Sequence, residues 1–582
     1  MNTKQPTLTV SGVPAILGDF DTLCDALDYA AKGESGLSFY SARAELVDVL
    51  TYAEMHEKAM DLAHRLCAVT EKGDRIGLVA ETGRDFAIAF YACQYAGVLA
   101  VPISMPTSMG GKDMYEDQIQ RIAATAGLHS LLAPASVENL VHEALDETDV
   151  IVGPLSGDNL IERAENLRPF TKDEMCYVQF SSGSTSNPKG ILGSQKSVTT
   201  NCRALIQFGM EVREGDRTAS WLPWYHDMGL IGFFLSPMMA QVSVDCLSPM
   251  SFARRPSSWL QIISDNRVTL SCSPSFGYEI TAKRWRGGDL DLSSWRVAAI
   301  GGDMIRNDAL MRFAEVFADA GFSDKAFLPC YGLAEATVAV SFAKLDQGLM
   351  TDIVDAHEMR ATNIAVPAPE NMSENERRCL VGCGRTFDDH EIMICDRDSN
   401  RLKDRQVGRV MFRGASVSPG ILDMEKGVVP LVDENGWLDT GDLGYWLNGE
   451  LIITGRHKDL ILWNGRNIWP QDIEWAAEKA GGRHVKRTAA FELTDNVGDS
   501  GIYLLAECKS RDETIKAKVT SDITVTVRQI VGAPVSVILV PTNSLVMTSS
   551  GKLSRMRSRG RYLSGSLSQQ AVTPPDTVET FA

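Results

Sequence analysis

Residues 181–190 of the chain, SSGSTSNPKG, concentrate groups that bind anions. Five hydroxyl side chains, two glycines and Lys189 occupy this stretch, directly after the apolar run 175–180, which is typical of a strand. Glycine lets backbone N–H groups approach an anion closely, the hydroxyls add donors and Lys189 adds positive charge. Ligands of α/β sheets bind at loops that follow strands, so the pattern favours a phosphate-binding loop over a polar surface loop. The spacing differs from that of a Walker loop.

Other candidate residues carry little information by themselves. Asp442 lies in a Thr-Gly-Asp string that is typical of a turn, and Tyr331 is equally well explained as a core aromatic residue. Lys552 lies in a Ser/Gly-rich loop, where a lysine is usually a solvated charge. His226 could face a ligand or be a structural histidine bonded to the backbone, and a structural role is preferred for its neighbour Asp227.

Six strings in a fixed order connect these residues to a known family. They are SSGSTSNPKG (181–190), WLPWYHDMG (221–229), YGLAEAT (331–337), DTGDLG (439–444), GRHKDLILWNGRNIWPQDIE (455–474) and TSSGKLSR (548–555). The set resembles the adenylate-forming superfamily, which includes acyl-CoA synthetases, peptide-synthetase adenylation domains and luciferases. The resemblance runs from about residue 52 to residue 557, which is nearly the whole chain.

The resemblance implies an enzyme that couples a carboxylate to the α-phosphorus of ATP and releases pyrophosphate, with ATP and Mg²⁺ as cofactors. This chemistry depends on positioning and charge neutralisation more than on covalent help. The positions that match the ATP- and AMP-binding residues of the family are Ser181, Ser182, Gly183, Ser184, Thr185, Lys189, Gly302, Asp303, Tyr331, Gly332, Asp442 and Arg456.

The resemblance also implies a catalytic set of Lys552, Glu335 and His226. Lys552 would bridge the carboxylate and the α-phosphate. Glu335 and Thr185 would bind Mg²⁺, a hard cation that favours oxygen ligands. His226 would be a donor near the carboxylate or a gate at the acyl tunnel, with the structural histidine as the alternative.

The remaining roles concern the nucleotide and the movement of a small domain. By the same resemblance, Lys189 would hold the β- and γ-phosphates, and Tyr331 would stack on adenine. Asp442 would accept hydrogen bonds from the ribose hydroxyls. Arg456 would reach the ribose or a phosphate, and Lys458 matches the hinge.

Several details resemble the fatty acyl-AMP ligase branch. They include YHDMGLI (225–231), Ala334 and an extra segment at about 342–378. In that branch the segment packs against the large domain and hinders the domain movement or the pocket that CoA requires. The resemblance therefore implies transfer of a fatty acyl group to the phosphopantetheine thiol of an acyl carrier protein. The apolar residues of the segment predict an ordered insertion, with residues 369–378 polar and exposed. The alternatives are an acyl-CoA synthetase and a non-catalytic nucleotide-binding regulator.

The composition limits the remaining possibilities. The 582 residues include 57 basic and 75 acidic side chains, a formal charge of −18 that argues against a nucleic-acid partner. Residues 1–18 lack the pattern of a secretory signal and the twelve cysteines are scattered, so a cytoplasmic protein with reduced thiols is expected. Cys379, Cys383, His390 and Cys395 lack the usual Cys-x2-Cys spacing, which favours scattered thiols over a zinc site.

Alternating apolar strand-like and amphipathic runs predict an α/β fold with parallel-type sheets covered by helices. The nearly apolar run 86–103 is split by Gly97 and Pro102, which favours a buried helix-turn-strand unit over stable membrane insertion. Short strands and Asn-Gly turns predict a β-rich subdomain over 409–453. We therefore predict a large domain over 1–456, a small mobile α+β domain over 457–563 and a disordered tail over 564–582.

Overall fold

The structure is a computed structural model that describes residues 9–10, 12–106, 111–180, 189–494, 500–548 and 551–567. The described residues form fifteen α-helices. They are α1 Leu23–Ala30, α2 Tyr52–Val69, α3 Arg84–Ala96, α4 Gly111–Ala126, α5 Glu138–Leu145, α6 Gln195–Ala204, α7 Ser236–Met239, α8 Pro249–Arg254, α9 Ser257–Asp265, α10 Ser275–Arg284, α11 Asn307–Phe317, α12 Ala356–Thr362, α13 Pro470–Gly481, α14 Glu513–Val531 and α15 Arg555–Leu563.

The strands of the described residues are β1 Thr9–Val10, β2 Val13–Pro14, β3 Gly36–Tyr40, β4 Leu46–Thr51, β5 Arg75–Val79, β6 Leu99–Ile103, β7 Ser130–Ala133, β8 Ile151–Pro154, β9 Met175–Phe180, β10 Gly190–Ser194, β11 Thr218–Ser220, β12 Val244–Leu247, β13 Leu270–Ser273, β14 Val297–Ile300, β15 Phe327–Tyr331, β16 Ser341–Phe342, β17 Thr351–Asp355, β18 Arg377–Val381, β19 His390–Cys395, β20 Gly408–Gly414, β21 Ile421–Asp423, β22 Gly427–Val429, β23 Leu438–Leu447, β24 Glu450–Arg456, β25 Ile461–Trp463, β26 Arg466–Ile468, β27 Val485–Thr494, β28 Ser500–Cys508 and β29 Val535–Pro541.

Two eight-stranded sheets form the centre of the molecule. One has the order β22-β21-β10-β9-β6-β5-β7-β8 and the other β16-β15-β14-β13-β11-β12-β3-β4. In the first sheet the strands from β9 to β8 run parallel, and β10, β21 and β22 pair antiparallel at the other end. In the second sheet the strands from β15 to β3 run parallel, and only the edge strands β16 and β4 pair antiparallel. This arrangement confirms the predicted α/β fold with parallel-type sheets.

The apolar run 86–103 forms the predicted helix-turn-strand unit. Helix α3 is buried from Phe86 to Ala96 and ends at Gly97, whose φ of +67° is the left-handed conformation that favours glycine. A Cβ at Gly97 would lie 2.2 Å from the carbonyl oxygen of Arg168, so a side chain has no room there. In the part of the chain that the structure describes, no helix is both long and apolar enough to cross a bilayer.

A four-stranded sheet, β19-β20-β23-β24, forms the predicted β-rich region. The hairpin between β23 and β24 turns at Asn448 and Gly449, with φ values of +53° and +82°. Positive φ at both positions is what a two-residue hairpin turn needs. The register that this turn sets, with one irregularity, pairs Asp442 with Arg456.

The C-terminal residues have apolar cores of their own. Strands β27, β28 and β29 form a sheet whose one face is covered by α13 and α14 through residues such as Ile473, Val519 and Ile523. The other face carries Phe491 and Tyr503, against which Tyr562 of α15 packs. Separate cores support a boundary near residues 456 and 457, which stays a prediction. Of the predicted tail, residues 568–582 lie outside the described residues.

The predicted insertion is ordered. Strand β17 pairs antiparallel with β18, and α12 lies between them. Residues 369–376 are mostly exposed, as expected, but the prediction is wrong for Arg378, whose side chain is only 5% exposed. Arg378 is buried because it pairs with Asp472 at 2.9 Å and stacks on Trp469, both from the C-terminal part of the chain.

Candidate active site

Three predicted nucleotide-binding residues meet where β15, β23 and β24 come together. The hydroxyl of Tyr331, at the end of β15, donates to Asp442 Oδ2 at 2.7 Å. Arg456 Nε lies 3.5 Å from Asp442 Oδ1. Burial raises the pKa of Asp442, whereas Arg456 and the Tyr331 hydroxyl oppose this change. The carboxylate is thus fixed between a donor and a cation.

Lys552 reaches the same region from the C-terminal part of the chain. Gly302, with φ of +82°, follows β14, and a Cβ there would lie 2.6 Å from Met228 Sδ and 3.9 Å from Lys552 Nζ. The charge of Lys552 contributes to the lowered pKa of Asp227 and opposes the increase that burial causes in the pKa of Asp442. Strings that are more than 200 residues apart therefore converge at one site.

Glu335 lies in a single 3-10 turn, Ala334–Ala336, directly after Tyr331 and Gly332. A Cβ at Gly332 would lie 1.7 Å from the carbonyl oxygen of Val338, so glycine permits the chain to fold back tightly. Thr337 has φ of +72°, a strained value for a β-branched residue, and its hydroxyl donates to the Ser416 carbonyl at 2.7 Å. The turn holds the half-buried Glu335 at the edge of the site.

Glu335 has the electrostatic character of a cation ligand. Burial raises the pKa of its carboxyl, the Arg456 charge lowers it, and Asp227 and Asp442 raise it further. A divalent cation such as Mg²⁺ would neutralise the negative charges of Glu335, Asp227 and Asp442, so the charges of the site suit this ion. Among the described residues, no three His, Cys, Asp or Glu side chains form a preformed metal cluster. Mg²⁺ held by Glu335 would therefore need further oxygen ligands, which phosphate groups, water and the predicted ligand Thr185 would supply.

His226 and Asp227 form a close pair just before the π-helix Met228–Leu235. Nδ1 of His226 lies 2.5 Å from Asp227 Oδ1, and the Met228 N–H donates to the same oxygen at 2.8 Å. Burial raises the pKa of Asp227, but His226, Lys552 and the Met228 N–H outweigh this effect and leave it below its usual value. Asp227 is therefore a buried carboxylate beside the site.

Arg555 is a residue near the site that the sequence analysis did not identify. It donates to both carboxylate oxygens of Glu474, at 2.8 and 2.7 Å, and to Asp459 Oδ2 at 2.7 Å. Burial lowers the pKa of Arg555, but Glu474 and Asp459 outweigh it and raise the pKa. The only signal in the sequence was its place three residues after Lys552. These bonds anchor the lysine loop to α13 and to the residue that follows Lys458.

Other predicted residues are not joined to this group by hydrogen bonds or ion pairs within the described residues. Lys189 is exposed at the start of β10, and its charge contributes to lowering the pKa of Asp423 after the Glu425 and Lys426 backbone N–H groups. Asp303 is exposed beside Gly302, and Lys458 is exposed in the 3-10 turn His457–Asp459. Ser181, Ser182, Gly183, Ser184 and Thr185 lie outside the described residues.

A parallel-sheet fold, a buried Tyr331–Asp442 pair with the exposed Arg456 beside it, a nearby carboxylate and a lysine from a C-terminal loop are the features of an adenylate-forming ligase. Residues 39–422 match the family model of AMP-binding enzymes, and the chain belongs to that family. These findings confirm the predicted fold class and the predicted type of enzyme.

Individual relatives are similar over nearly the whole chain. A putative acyl-CoA synthetase of Caulobacter vibrioides is 42% identical over 96% of this chain and 98% of its own length. JamA of Moorena producens, a medium-chain-fatty-acid–[acyl-carrier-protein] ligase, is 30% identical over 95% of this chain and 96% of its own. A solved structure from studies of fatty acyl-adenylate ligases of E. coli and L. pneumophila matches with a TM-score of 0.89 and 37% identity, covering 95% of this chain and all of that one.

Proposed function

We propose that the protein activates a fatty acid as an acyl-adenylate and then transfers the acyl group to the phosphopantetheine thiol of an acyl carrier protein. The observation that carries the proposal is the convergence of Lys552, Glu335 and the Tyr331–Asp442–Arg456 group in one site. The names of JamA and of the fatty acyl-adenylate ligases support the choice of a fatty acid.

In the first half-reaction a carboxylate oxygen of the fatty acid attacks the α-phosphorus of ATP, and the bond to the bridging oxygen of pyrophosphate breaks. Lys552 neutralises charge on the α-phosphate and the attacking carboxylate, which is electrostatic stabilisation of the transition state. His226, fixed by Asp227, donates towards the carboxylate. Mg²⁺ at Glu335, with Thr185 as its second proposed ligand, would supply positive charge at the phosphates.

The nucleotide is held by the remaining proposed residues. Asp442 accepts from the ribose hydroxyls, Tyr331 stacks on adenine and Arg456 contacts the ribose or a phosphate. Lys189 binds the leaving phosphates. The other proposed contacts come from Ser181, Ser182, Gly183, Ser184, Gly302, Asp303 and Gly332.

In the second half-reaction the thiol sulfur attacks the acyl carbon, AMP leaves and the thiol loses its proton. We propose that residues 457–563 rotate about Lys458 between the two steps. The insertion opposes that rotation, because Arg360 and Arg378 both pair with Asp472 of α13, at 3.4 and 2.9 Å. All three side chains are less than 10% exposed, and separating a buried ion pair leaves uncompensated charge.

Further contacts strengthen this link between the insertion and the C-terminal part. Trp469 belongs to an apolar cluster with Val354 and Met359 of the insertion. Asn467 Nδ2 donates to Asn363 Oδ1 at 2.7 Å. The insertion therefore contacts the C-terminal part of the chain directly. An acceptor that contributes little binding energy, such as free CoA, would be a poor substrate.

The second candidate function is synthesis of an acyl-CoA thioester. The name of the Caulobacter vibrioides relative favours it. The chemistry of the first half-reaction is the same, so only the acceptor separates the two candidates.

The test supplies ATP, a fatty acid and either CoA or a holo-carrier protein, and measures the thioester formed. We expect the intact protein to acylate the holo-carrier, and a protein with residues 342–378 shortened to gain CoA thioester formation. Efficient CoA thioester formation by the intact protein would contradict the proposal that an acyl carrier protein is the acceptor. A catalytically silent protein that binds ATP would indicate the regulator instead.

A further inference from the structure

The charge of the chain is divided unevenly. Residues 457–563 contain 16 basic and 11 acidic side chains, a formal charge of +5, whereas all other residues contain 41 basic and 64 acidic ones, a formal charge of −23. An acidic protein partner would be repelled by most of this molecule and attracted to its C-terminal part.

The positive charge includes a concentration on helix α15. Arg557 and Arg559 are exposed and Arg561 is half-buried. Within the described residues these three arginines form no ion pair, in contrast to Arg555 on the same helix. Burial lowers the pKa of Arg557, and the positive charges of Arg561 and Arg121 lower it further.

The same helix exposes apolar side chains. Met556 is 50% exposed and Leu563 is 62% exposed. Gly560 lies between them at helical spacing, and a Cβ there would meet no atom within 4 Å. Exposed apolar residues bordered by arginines are the composition of a protein-binding surface. The opposite face of α15 is occupied, because Ser558 is buried and Tyr562 packs on the sheet.

The position of α15 relates this surface to the reaction. The helix begins three residues after Lys552, whose ammonium group reaches the corner formed by Gly302 and Met228. Arg561 also lies against Met114 of α4, with 4.0 Å between Nη2 and Sδ. A partner bound on α15 would therefore move together with the lysine loop when residues 457–563 rotate for the second half-reaction.

We propose that α15, through Met556, Arg557, Arg559, Gly560 and Leu563, is the docking surface for the acidic face of the acyl carrier protein. This inference rests on the proposed function. Docking on α15 supplies binding energy that free CoA lacks, and that energy offsets the cost of separating Arg360 and Arg378 from Asp472. The charge asymmetry steers the carrier to this surface.

The test uses the full-length protein with a panel of purified holo-acyl carrier proteins. Arg557→Glu/Arg559→Glu is compared with Lys518→Glu/Arg528→Glu, which makes the same charge change on exposed residues of α14, on the other face of the sheet. We expect the α15 variant to lower kcat/KM for the holo-carrier at least about tenfold and to weaken its salt dependence. Pyrophosphate exchange and transfer to free pantetheine should stay unchanged in both variants.

A second variant separates docking from general charge effects. Gly560→Trp adds bulk on the same face without changing the charge, and it should also lower transfer to the holo-carrier. Equal holo-carrier kinetics in the α15 and α14 variants would overturn the proposal. So would an α15 variant that loses binding to phosphatidylglycerol vesicles but keeps normal transfer, because the surface would then be a lipid-binding one. A wild-type protein that acylates no holo-carrier would instead contradict the proposed function itself.

Discussion

At the scale of single residues, Lys552 is the group on which adenylate formation should depend most. We expect Lys552→Ala to lower the rate of acyl-adenylate formation at least about a hundredfold, since charge stabilisation of this kind contributes about 3 kcal/mol or more. Transfer from a supplied acyl-adenylate should fall much less, because the lysine loop is proposed to leave the site between the steps. Single-turnover measurement of both half-reactions checks this. Equal loss in both would contradict the division of roles.

The hydroxyl of Tyr331 should stabilise the buried Asp442 carboxylate. Tyr331→Phe removes a 2.7 Å hydrogen bond to a charged group, so the free energy of unfolding should fall by about 2 kcal/mol at neutral pH. The KM for ATP should rise as the Asp442 carboxylate loses its orientation. Chemical denaturation and steady-state kinetics measure the two effects. Tyr29→Phe, which removes an exposed hydrogen bond to Pro14, is the matched control, and an equal loss there would refute the assignment.

The residues of the site could be predicted only where short strings carried them. Tyr331, Glu335, Asp442 and Lys552 were found because each lies in a string of the family, although their convergence depends on contacts between distant segments. Arg555 was missed because nothing in its neighbours reveals Glu474, which is 81 residues away. Local sequence describes a residue's type and spacing but not the partner that folding brings to it.

At the scale of secondary-structure elements, the contact between the insertion and α13 should control the acceptor. Arg378→Leu leaves a buried pair incomplete, which should lower the free energy of unfolding by about 3 kcal/mol and raise CoA thioester formation. The exposed pair Lys479–Glu374 offers the control, because Lys479→Ala should leave both the free energy of unfolding and CoA transfer nearly unchanged. Chemical denaturation measures the free energy of unfolding of both variants, and a thioester assay measures their CoA transfer. Unchanged CoA transfer in Arg378→Leu would refute the role of this contact.

A second contact between elements should make stability depend on pH. Glu478 of α13 lies 3.6 Å from Arg306, and burial raises its pKa to about 7, an effect that the charge of Arg306 opposes and those of Glu474 and Glu279 reinforce. Because the folded-state pKa exceeds the ordinary value of 4.5, the folded protein binds more protons between these values. The free energy of unfolding therefore falls as pH rises from about 4.5 to about 7.

Glu478→Gln should remove this dependence. Thermal unfolding of the wild-type and variant proteins across that pH range makes the comparison. The variant should gain stability relative to the wild-type protein as the pH rises. Parallel pH profiles would show that Glu478 is ionised in the folded protein throughout the range.

The elements themselves follow largely from local pattern. Met175–Phe180 is a strand as predicted, and Asn448-Gly449 turns a hairpin, because alternation and turn residues act over a few positions. The burial of Arg378 could not be predicted, since a polar run is normally exposed and its partner Asp472 lies 94 residues further along the chain. Long-range pairing overrides the local pattern there.

At the scale of the whole molecule, an AMP-binding fold of negative charge is joined to a C-terminal part of positive charge. The large sheets position the nucleotide residues, and residues 457–563 supply Lys552 and the basic helix α15. Alternating apolar and amphipathic runs predicted these sheets, but the composition alone gave only the total charge of −18. The uneven distribution of that charge could be recognised only after the structure showed that the C-terminal residues form separate apolar cores.

The central claim is that the protein forms an acyl-adenylate, and ATP–pyrophosphate exchange measures that step without an acceptor. The assay is run with purified protein, Mg²⁺ and short-, medium- and long-chain fatty acids, with Lys552→Ala as the matched variant. We predict exchange that requires a fatty acid and that falls at least about a hundredfold in the variant. The absence of carboxylate-dependent exchange with every chain length would contradict the account.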